Sequence, residues 1–302
     1  MGSVTVKAYA KVNLTLEIVG KKGEYHLLDS LVASIDLFDR ITLKKRKDSL
    51  SSVVMRGMNS EKIPLEKNNA LKTAEAFSKT FNVNGVDILI DKNIPIGAGL
   101  GGSSADISGV ISGMAKLYQI KDDVALKNLA DRLGSDAGYM LKGGYMRMQG
   151  RGDVLTPTKI KIPLYMLLIV PPNGVSAGAC YTAYDKIPQT KIAKRNTEFC
   201  IKALETADIK EAGRYLTNDL YLPACAFCKE IEQAYREAQS FSPIAVQMTG
   251  SGSGVLALFQ NKELCEWAKS RYKGNFKTIV IKTVIPQEQN KWKNPFVLKQ
   301  DE

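Results

Sequence analysis

Residues 95–106 constrain the fold more than any other stretch, because four glycines and two adjacent serines stand there between two regular patterns. Residues 86–90 before the stretch read as a strand, and apolar residues recur at helical spacing in residues 107–118 after it. Glycine lets the backbone approach a ligand closely, and the free N–H groups at a helix start favour an anion. We therefore predict a phosphate-binding loop. The alternative is a glycine-rich turn with a serine helix cap.

The composition excludes several classes of protein. The chain has 302 residues, 44% hydrophobic and 24% charged, which is typical of one large or two medium globular domains. No apolar run is long enough to span a bilayer and no signal peptide opens the chain, so we expect a cytoplasmic protein without membrane contacts. The net charge of +11 favours an anionic partner. No RNA-binding motif is visible, so we expect no nucleic-acid partner. We interpret most of the charge as solvated surface and a minority of it as serving an anionic substrate.

The cysteines indicate reduced thiols rather than disulfides or a metal site. There are five of them, and no secretory signal accompanies this odd number. Cys225 and Cys228 have CxxC spacing, but a zinc site would need a second pair, and the only histidine is His26. We expect both cysteines to be buried in one helix, because residues 220–236 have a helical pattern.

The order of the predicted elements divides the chain into two domains. The first half reads as strands followed by helices, and a glycine cluster at residues 142–152 predicts a hairpin. The second half alternates strands and helices, with one predicted helix at about residues 224–238. The predicted fold class is α+β. The predicted units are an N-terminal domain of residues 1–160, a C-terminal domain of residues 161–285 and a polar tail of residues 286–302.

Three motifs resemble, in order, those of the GHMP kinase superfamily, which includes homoserine, mevalonate and galactose kinases. The first is the strand segment Ala10-Lys11-Val12-Asn13, the second is the loop at residues 95–105, and the third is a glycine-rich hairpin at residues 248–255. The set covers nearly the whole chain. The resemblance implies an ATP-dependent small-molecule kinase with the GHMP two-domain fold: a domain like ribosomal protein S5 domain 2, followed by a ferredoxin-like domain.

Further segments resemble one branch of the superfamily, whose substrate is methylerythritol linked to cytidine diphosphate. These segments are the pair Tyr25-His26, which in that branch holds the cytosine, and residues 133–136 with their aspartate. The resemblance implies phosphorylation of the substrate's 2-hydroxyl in the non-mevalonate isoprenoid pathway. A homoserine, mevalonate or sugar substrate is the alternative, and the Tyr-His pair discriminates because those kinases have no cytosine to hold. A basic RNA-binding protein without enzymatic activity is a further alternative.

The resemblance also implies the roles of individual residues. Lys11 and Asp136 would be catalytic, with Asp136 as the general base and Lys11 stabilising developing negative charge. ATP would bind with Mg²⁺, and the hydroxyl of Ser103 or Ser104 would be a ligand of the metal. The implied ATP-binding residues are Pro95, Gly97, Ala98, Gly99, Leu100, Gly101, Gly102, Ser103, Ser104 and Asn69. The implied substrate-binding residues are Asn13, Tyr25, His26, Tyr181, Gly250, Ser251 and Gly252. We expect a monomer or a homodimer.

Overall fold

A mixed sheet of eight strands and an antiparallel sheet of four strands organise the molecule, each with its own helices. The computed structural model describes residues 2–57, 68–188 and 195–284, so the predicted polar tail lies outside the described residues. The strands are β1 (Ser3–Asn13), β2 (Thr15–Lys22), β3 (Tyr25–Lys45), β4 (Ser52–Gly57), β5 (Val86–Lys92), β6 (Tyr145–Gly150), β7 (Val154–Pro157), β8 (Tyr165–Val170), β9 (Thr217–Asn218), β10 (Ala245–Met248), β11 (Val255–Phe259) and β12 (Lys277–Lys282). The helices are α1 (Asn69–Phe81), α2 (Gly102–Tyr118), α3 (Asp123–Leu133), α4 (Ala137–Lys142), α5 (Ala177–Tyr184), α6 (Asn196–Glu205), α7 (Ile209–Gly213), α8 (Tyr221–Cys225), α9 (Glu230–Gln239) and α10 (Lys262–Arg271).

Strand β3 organises the larger sheet, because its 21 residues pair antiparallel with four other strands. Strands β1 and β2 lie along one edge of β3, and β5 and β6 lie along the other. The short strand β9, from the second half of the chain, joins β2 in parallel. The register between β1 and β3 shifts between Tyr9 and Lys11, an irregularity that changes where a side chain points. Lys11 is almost fully buried, unlike most strand lysines.

Helix α2 is the central helix of the first domain and packs against β1 and β3. Its glycines allow close approach: a Cβ atom at Gly113 would lie 2.1 Å from Cδ1 of Leu43. The helix begins directly after the glycine-rich loop, and its first turn faces the loop between β10 and β11. That loop belongs to the antiparallel sheet, whose strand order is β10-β11-β8-β12. The fold thus brings two glycine-rich loops, distant in sequence, to one place.

The predicted α+β class with two domains is confirmed. The burial predicted for Cys225 and Cys228 is confirmed too, and the other three cysteines are likewise buried free thiols. The single helix expected at residues 224–238 is wrong. Helix α8 ends at Cys225 and α9 begins at Glu230, so Cys228 lies between two helices. Tertiary packing overrides the continuous helical pattern, because the separate α9 packs Ile231 against β10 and β11. None of the helices in the described residues has the length and hydropathy that a membrane crossing needs.

Candidate active site

The glycine-rich loop and the first turn of α2 form one wall of an open cavity of about 360 Å³. This volume is within the range of small-molecule sites. The cavity is lined by the whole loop from Pro95 to Ser104, and its floor continues to Asn69 and Met55. The first N–H groups of a helix have no intrahelical acceptor, so the first turn of α2 presents donors and a positive dipole end to the cavity. An anion such as a phosphate fits this end of the cavity.

The glycines of this loop allow close contact with the second domain, and they also leave room for a ligand to approach the backbone. Gly99 has a φ of +72°, and a Cβ atom there would lie 2.1 Å from the carbonyl oxygen of Thr249. The backbone N–H groups of Ser253 and Gly254 donate to the carbonyl oxygens of Gly97 and Ala98, at 3.0 and 3.2 Å. The loop between β10 and β11 therefore contacts the glycine-rich loop through backbone groups. Ser251 and Gly252 of the same loop line the cavity.

Asn218 holds the loop between β10 and β11 in this position. Its side-chain amide nitrogen donates to the carbonyl oxygens of Met248 and Gly250, at 2.7 and 2.9 Å. Its amide oxygen accepts from the backbone N–H of Leu220. No role for this buried asparagine was predicted from the sequence, because the carbonyl groups that it binds lie about 30 residues away.

Lys11 and Asp136 approach one another beside the glycine-rich loop. The Lys11 ammonium lies 3.4 Å from a carboxylate oxygen of Asp136, and the backbone N–H of Lys11 donates to the carbonyl oxygen of Leu100 at 3.1 Å. Asp136 precedes α4, but its side chain makes no capping hydrogen bond there. Its carboxylate is therefore not used in capping α4, and the side chain is 24% exposed. A cation and a base thus stand next to the predicted phosphate site.

Asn13 orients the Lys11 side chain. The Lys11 ammonium donates to the Asn13 side-chain oxygen at 2.5 Å, and the Asn13 amide nitrogen donates to the hydroxyl of Ser30 at 2.8 Å. The backbone N–H of Asn13 donates to the Thr249 hydroxyl at 2.9 Å, which ties β1 to the second domain. Both polar ends of the Asn13 side chain have protein partners. The geometry gives it a role toward Lys11, and contact with substrate hydroxyls stays a prediction.

A buried charge cluster, two of whose members line the cavity, was not predicted from the sequence. The Lys92 ammonium binds carboxylate oxygens of both Asp39 and Asp106. Asp39 also accepts from the backbone N–H groups of Asn93 and Ile94, whereas Oδ1 of Asp106 has no hydrogen-bond partner. Burial, together with the nearby Asp39 carboxylate, raises the pKa of Asp106 to about 7 in spite of Lys92. One lysine therefore offsets the charge of only one of the two carboxylates.

Asn69 and Ser103 are hydrogen-bonded to one another in the lining of the cavity. The side-chain amide nitrogen of Asn69 donates to the Ser103 hydroxyl at 2.5 Å. Asn69 is the first residue of α1, whose capping hydrogen bonds are made by the neighbouring Asn68. The structure thus places Asn69 and Ser103, both predicted as ATP-binding residues, on one cavity wall.

A second group of predicted site residues lies around His26. The His26 ring stacks on Tyr181, with ring centroids 4.8 Å apart, and its Nε2 lies 2.6 Å from a carboxylate oxygen of Asp185. Tyr25 is 54% exposed, and the Arg151 guanidinium lies 3.5 Å from its ring centroid. Tyr181 was expected to face the base from the side opposite Tyr25, and in the structure it contacts His26. Sequence reasoning gave no signal for Asp185 and Arg151 as partners of these rings.

Tyr181 connects this group to Asp136. Burial raises the pKa of Tyr181 to about 12, and the Asp136 carboxylate contributes to the increase. The phenol is therefore within electrostatic range of Asp136 while its ring contacts His26. That the predicted catalytic residues and the Tyr25-His26 pair share one cleft stays a prediction.

Two family models match the chain. The model of the GHMP kinases N terminal domain matches residues 68–146, and the model of the GHMP kinases C terminal domain matches residues 200–276. The first match includes the glycine-rich loop and Asp136, and the second includes the loop between β10 and β11.

Among similar proteins, the 4-diphosphocytidyl-2-C-methyl-D-erythritol kinase of Clostridium beijerinckii is 34% identical over 284 residues, which cover 91% of this chain and 99% of the relative. The kinase of the same name from Caldicellulosiruptor saccharolyticus is 33% identical and covers 94% of this chain and 97% of its own.

The fold is similar to solved structures over almost its whole length. A crystal structure of 4-(cytidine 5'-diphospho)-2C-methyl-D-erythritol kinase has a TM-score of 0.75 at 26% identity, with 92% of this chain and 98% of that chain covered. The homoserine kinase of Cytophaga hutchinsonii has the same TM-score at 16% identity, covering 94% and 95%, and so shares the fold.

Proposed function

The chain belongs to the GHMP kinases, in the family of 4-diphosphocytidyl-2-C-methyl-D-erythritol kinases, and we propose that it phosphorylates the compound for which that family is named. ATP is the phosphoryl donor. The acceptor is the tertiary 2-hydroxyl of the methylerythritol part, and the product continues in the non-mevalonate route to isoprenoid precursors. We propose a cytoplasmic location, where ATP is available and where free thiols such as the five cysteines persist.

The observation that carries the proposal is the Lys11–Asp136 pair beside the glycine-rich loop, with 3.4 Å between ammonium and carboxylate. A tertiary hydroxyl is a weak acid and a hindered nucleophile. Phosphoryl transfer to it depends mainly on positioning and on neutralisation of charge. A general base and a fixed cation next to a phosphate site supply both.

In the proposed mechanism, Asp136 accepts the proton of the substrate hydroxyl as the oxygen attacks the γ-phosphorus. Lys11 stabilises the negative charge shared by the attacking oxygen and the transferred group. Asn13 keeps the Lys11 ammonium in place through its side-chain oxygen. The N–H groups of the loop and of the first turn of α2 hold the phosphates, so that the γ-phosphoryl group faces Asp136. ADP leaves from the same cavity.

Mg²⁺ fits this arrangement as a companion of the triphosphate. No group of three His, Cys, Asp or Glu side chains in the described parts of the chain is arranged to hold a metal by itself. Mg²⁺ needs no such cage, because phosphates and water supply most of its ligands. The hydroxyl of Ser103 or Ser104, in the first turn of α2, would provide one oxygen ligand. When bound, the metal neutralises charge on the phosphates.

The remaining assignments distribute the binding of ATP and of the acceptor substrate over the two domains. Residues 1–160 would bind ATP, and residues 161–285 would close on the substrate through Gly250, Ser251 and Gly252, of which Ser251 and Gly252 line the cavity. The cytosine would lie against Tyr25 and His26, with Tyr181 between this group and Asp136.

A coupled assay of ADP release tests the proposal with a panel of acceptors: the cytidyl substrate, homoserine, mevalonate and galactose. We expect turnover that needs ATP, Mg²⁺ and the cytidyl substrate, with the other alcohols at background. Preferred turnover of one of the other alcohols would keep the kinase chemistry and overturn the substrate. No ADP release with any acceptor would overturn both.

A further inference from the structure

The buried charge cluster of Asp39, Lys92 and Asp106 holds both ends of the glycine-rich loop against strand β3. Lys92 is the last residue of β5, before the loop, and Asp106 is the fifth residue of α2, after it. The Lys92 ammonium donates to Oδ2 of Asp39 at 2.5 Å and to Oδ2 of Asp106 at 2.7 Å. One ammonium therefore connects the strand and the helix that flank the loop with Asp39 on β3.

Backbone contacts extend this attachment to the start of the loop. Oδ1 of Asp39 accepts from the backbone N–H groups of Asn93 and Ile94, at 2.6 and 2.9 Å. A Cβ atom at Gly102, the first residue of α2, would lie 3.2 Å from Cγ2 of Ile94. The loop thus begins and ends at one place, beside the buried charge cluster.

Charge balance within the cluster does not require Asp106. Asp39 alone matches the charge of Lys92, and Oδ1 of Asp106 has no hydrogen-bond partner among the described residues. A buried carboxylate oxygen without a donor costs stability, and apolar side chains often replace buried charges without loss. Asp106 also lines the cavity. Because departures from the most stable arrangement are expected at functional sites, this one indicates a role in ligand binding.

We propose that Asp106 is a positioning residue for the nucleotide, which fixes the start of α2 relative to β3 through Lys92. This inference rests on the proposed function and adds to it the residue that directs the phosphate-binding groups. Hydrogen bonds weaken steeply when the donor is misaligned, so the N–H groups of the loop and of the first helical turn must converge on the phosphates. An ammonium shared by two carboxylates has a defined position, whereas an apolar contact would allow α2 to slide or rotate.

Two substitutions at the same position separate attachment from charge. Asp106→Leu removes the acceptor for Lys92 on α2 but leaves the pair of Lys92 and Asp39, with one ammonium facing one carboxylate. Asp106→Asn removes the charge as well, but its side-chain oxygen can still accept from Lys92. Asp91→Leu is the matched control, because it breaks an exposed ion pair with Arg56 one residue before Lys92.

Hydrogen exchange followed by mass spectrometry tests the attachment without any ligand. We expect faster exchange in peptides that cover residues 95–106 of Asp106→Leu, and parent rates there in Asp106→Asn and Asp91→Leu. Parent rates in Asp106→Leu would overturn the inference, whatever the protein phosphorylates. An equal increase in every peptide of that variant would also overturn it, because the effect would then be a general loss of stability.

Calorimetric titration with ATP and Mg²⁺, together with chemical denaturation, separates positioning from a structural role. ATP affinity should fall about tenfold or more in Asp106→Leu, as for the loss of one hydrogen bond to a charged group. It should stay near the parent value in Asp106→Asn and Asp91→Leu. The denaturation midpoint of Asp106→Leu should equal or exceed that of the parent, because the unpartnered carboxylate oxygen is gone.

Three results of these titrations would overturn the inference: unchanged ATP affinity in Asp106→Leu, equal losses of affinity in both Asp106 variants, or a joint fall of affinity and denaturation midpoint. A parent protein that binds ATP with the expected differences among variants, but does not phosphorylate the cytidyl substrate, would support the inference and count against the proposed function. A parent protein that binds no ATP would overturn both.

Discussion

The predicted nucleotide site and the predicted base site are built in different ways. At the first, the backbone end, the glycine-rich loop and the loop between β10 and β11 meet through carbonyl and N–H groups. At the second, the side-chain end, His26 on β3 contacts the side chains of Tyr181 and Asp185 from the second domain. Lys11 and Asp136 lie beside the glycine-rich loop.

This difference predicts how each end responds to mutation. A backbone site fails when a side chain is added, because an extra Cβ atom separates groups that must touch. A side-chain site fails when an atom is removed, and it fails selectively for the ligand that used that atom. Variants of the two ends should therefore affect ATP and the acceptor substrate independently.

The largest effect is expected at Asp136, the proposed general base. Asp136→Asn keeps the size of the side chain but cannot take the hydroxyl proton, so turnover should fall about 10²-fold or more with ATP affinity nearly unchanged. Steady-state kinetics and nucleotide titration measure the two quantities. Asp91→Asn, at an exposed carboxylate paired with Arg56, is the control and should keep parent turnover. Turnover of the Asp136 variant within a few-fold of the parent would remove this residue from the mechanism.

Gly99→Ala tests the backbone end. The added Cβ atom would lie 2.1 Å from the carbonyl oxygen of Thr249, which forces the two glycine-rich loops apart. We expect weaker ATP binding and a loss of turnover of up to about 10²-fold, as for a misplacement near 1 Å.

Gly23→Ala is its matched control. Gly23 has a similar positive φ of +61°, but a Cβ atom there would meet nothing within 4 Å. The control variant should lose about 1–2 kcal/mol of stability from backbone strain alone and keep its ATP affinity. If both variants bind ATP equally well, close contact of the two loops is not what organises the nucleotide site.

Tyr25→Ala tests the side-chain end. Loss of the exposed ring should weaken binding of the cytidyl substrate by about 1–3 kcal/mol, the range for one base on an aromatic ring. ATP affinity should stay unchanged. Tyr25→Phe, which keeps the ring beside Arg151, should bind nearly as the parent does. Equal binding of methylerythritol phosphate and the full cytidyl substrate by the parent would mean that the Tyr-His pair has a structural role.

The smallest effect on turnover is expected for the substitution Asp106→Asn. The quantity that should change there is the pH dependence of the free energy of unfolding. The folded pKa of Asp106, about 7, lies above the ordinary value of 3.8, so between these pH values the folded state retains a proton that the unfolded chain releases. This carboxyl therefore contributes a loss of stability as pH rises from about 4 to about 7. In Asp106→Asn that contribution should disappear. Chemical denaturation across this range measures it, and parallel curves for parent and variant would contradict the assignment.

The sequence predicted the backbone end well, because its signals are local. Residues 95–106 carry their glycines, their preceding strand and their following helix within one short stretch, and the structure has the loop and helix α2 there. Lys11 and Asp136 came from the resemblance to the GHMP kinases. Helix α4 and the break between α8 and α9 were not predicted, since packing against other elements decides where such short helices begin and end.

The sequence by itself thus determined the fold class, the family and the glycine-rich loop, because periodicity and motif order depend only on the order of residues in the chain. Only the tertiary structure decided that Lys92 stands between Asp39 and Asp106, that Asn218 holds the loop between β10 and β11, and that Asp185 rather than a ligand binds Nε2 of His26. These contacts join side chains and backbone groups up to 159 residues apart. Such pairings depend on distance and direction in space, and no spacing in a single sequence encodes them.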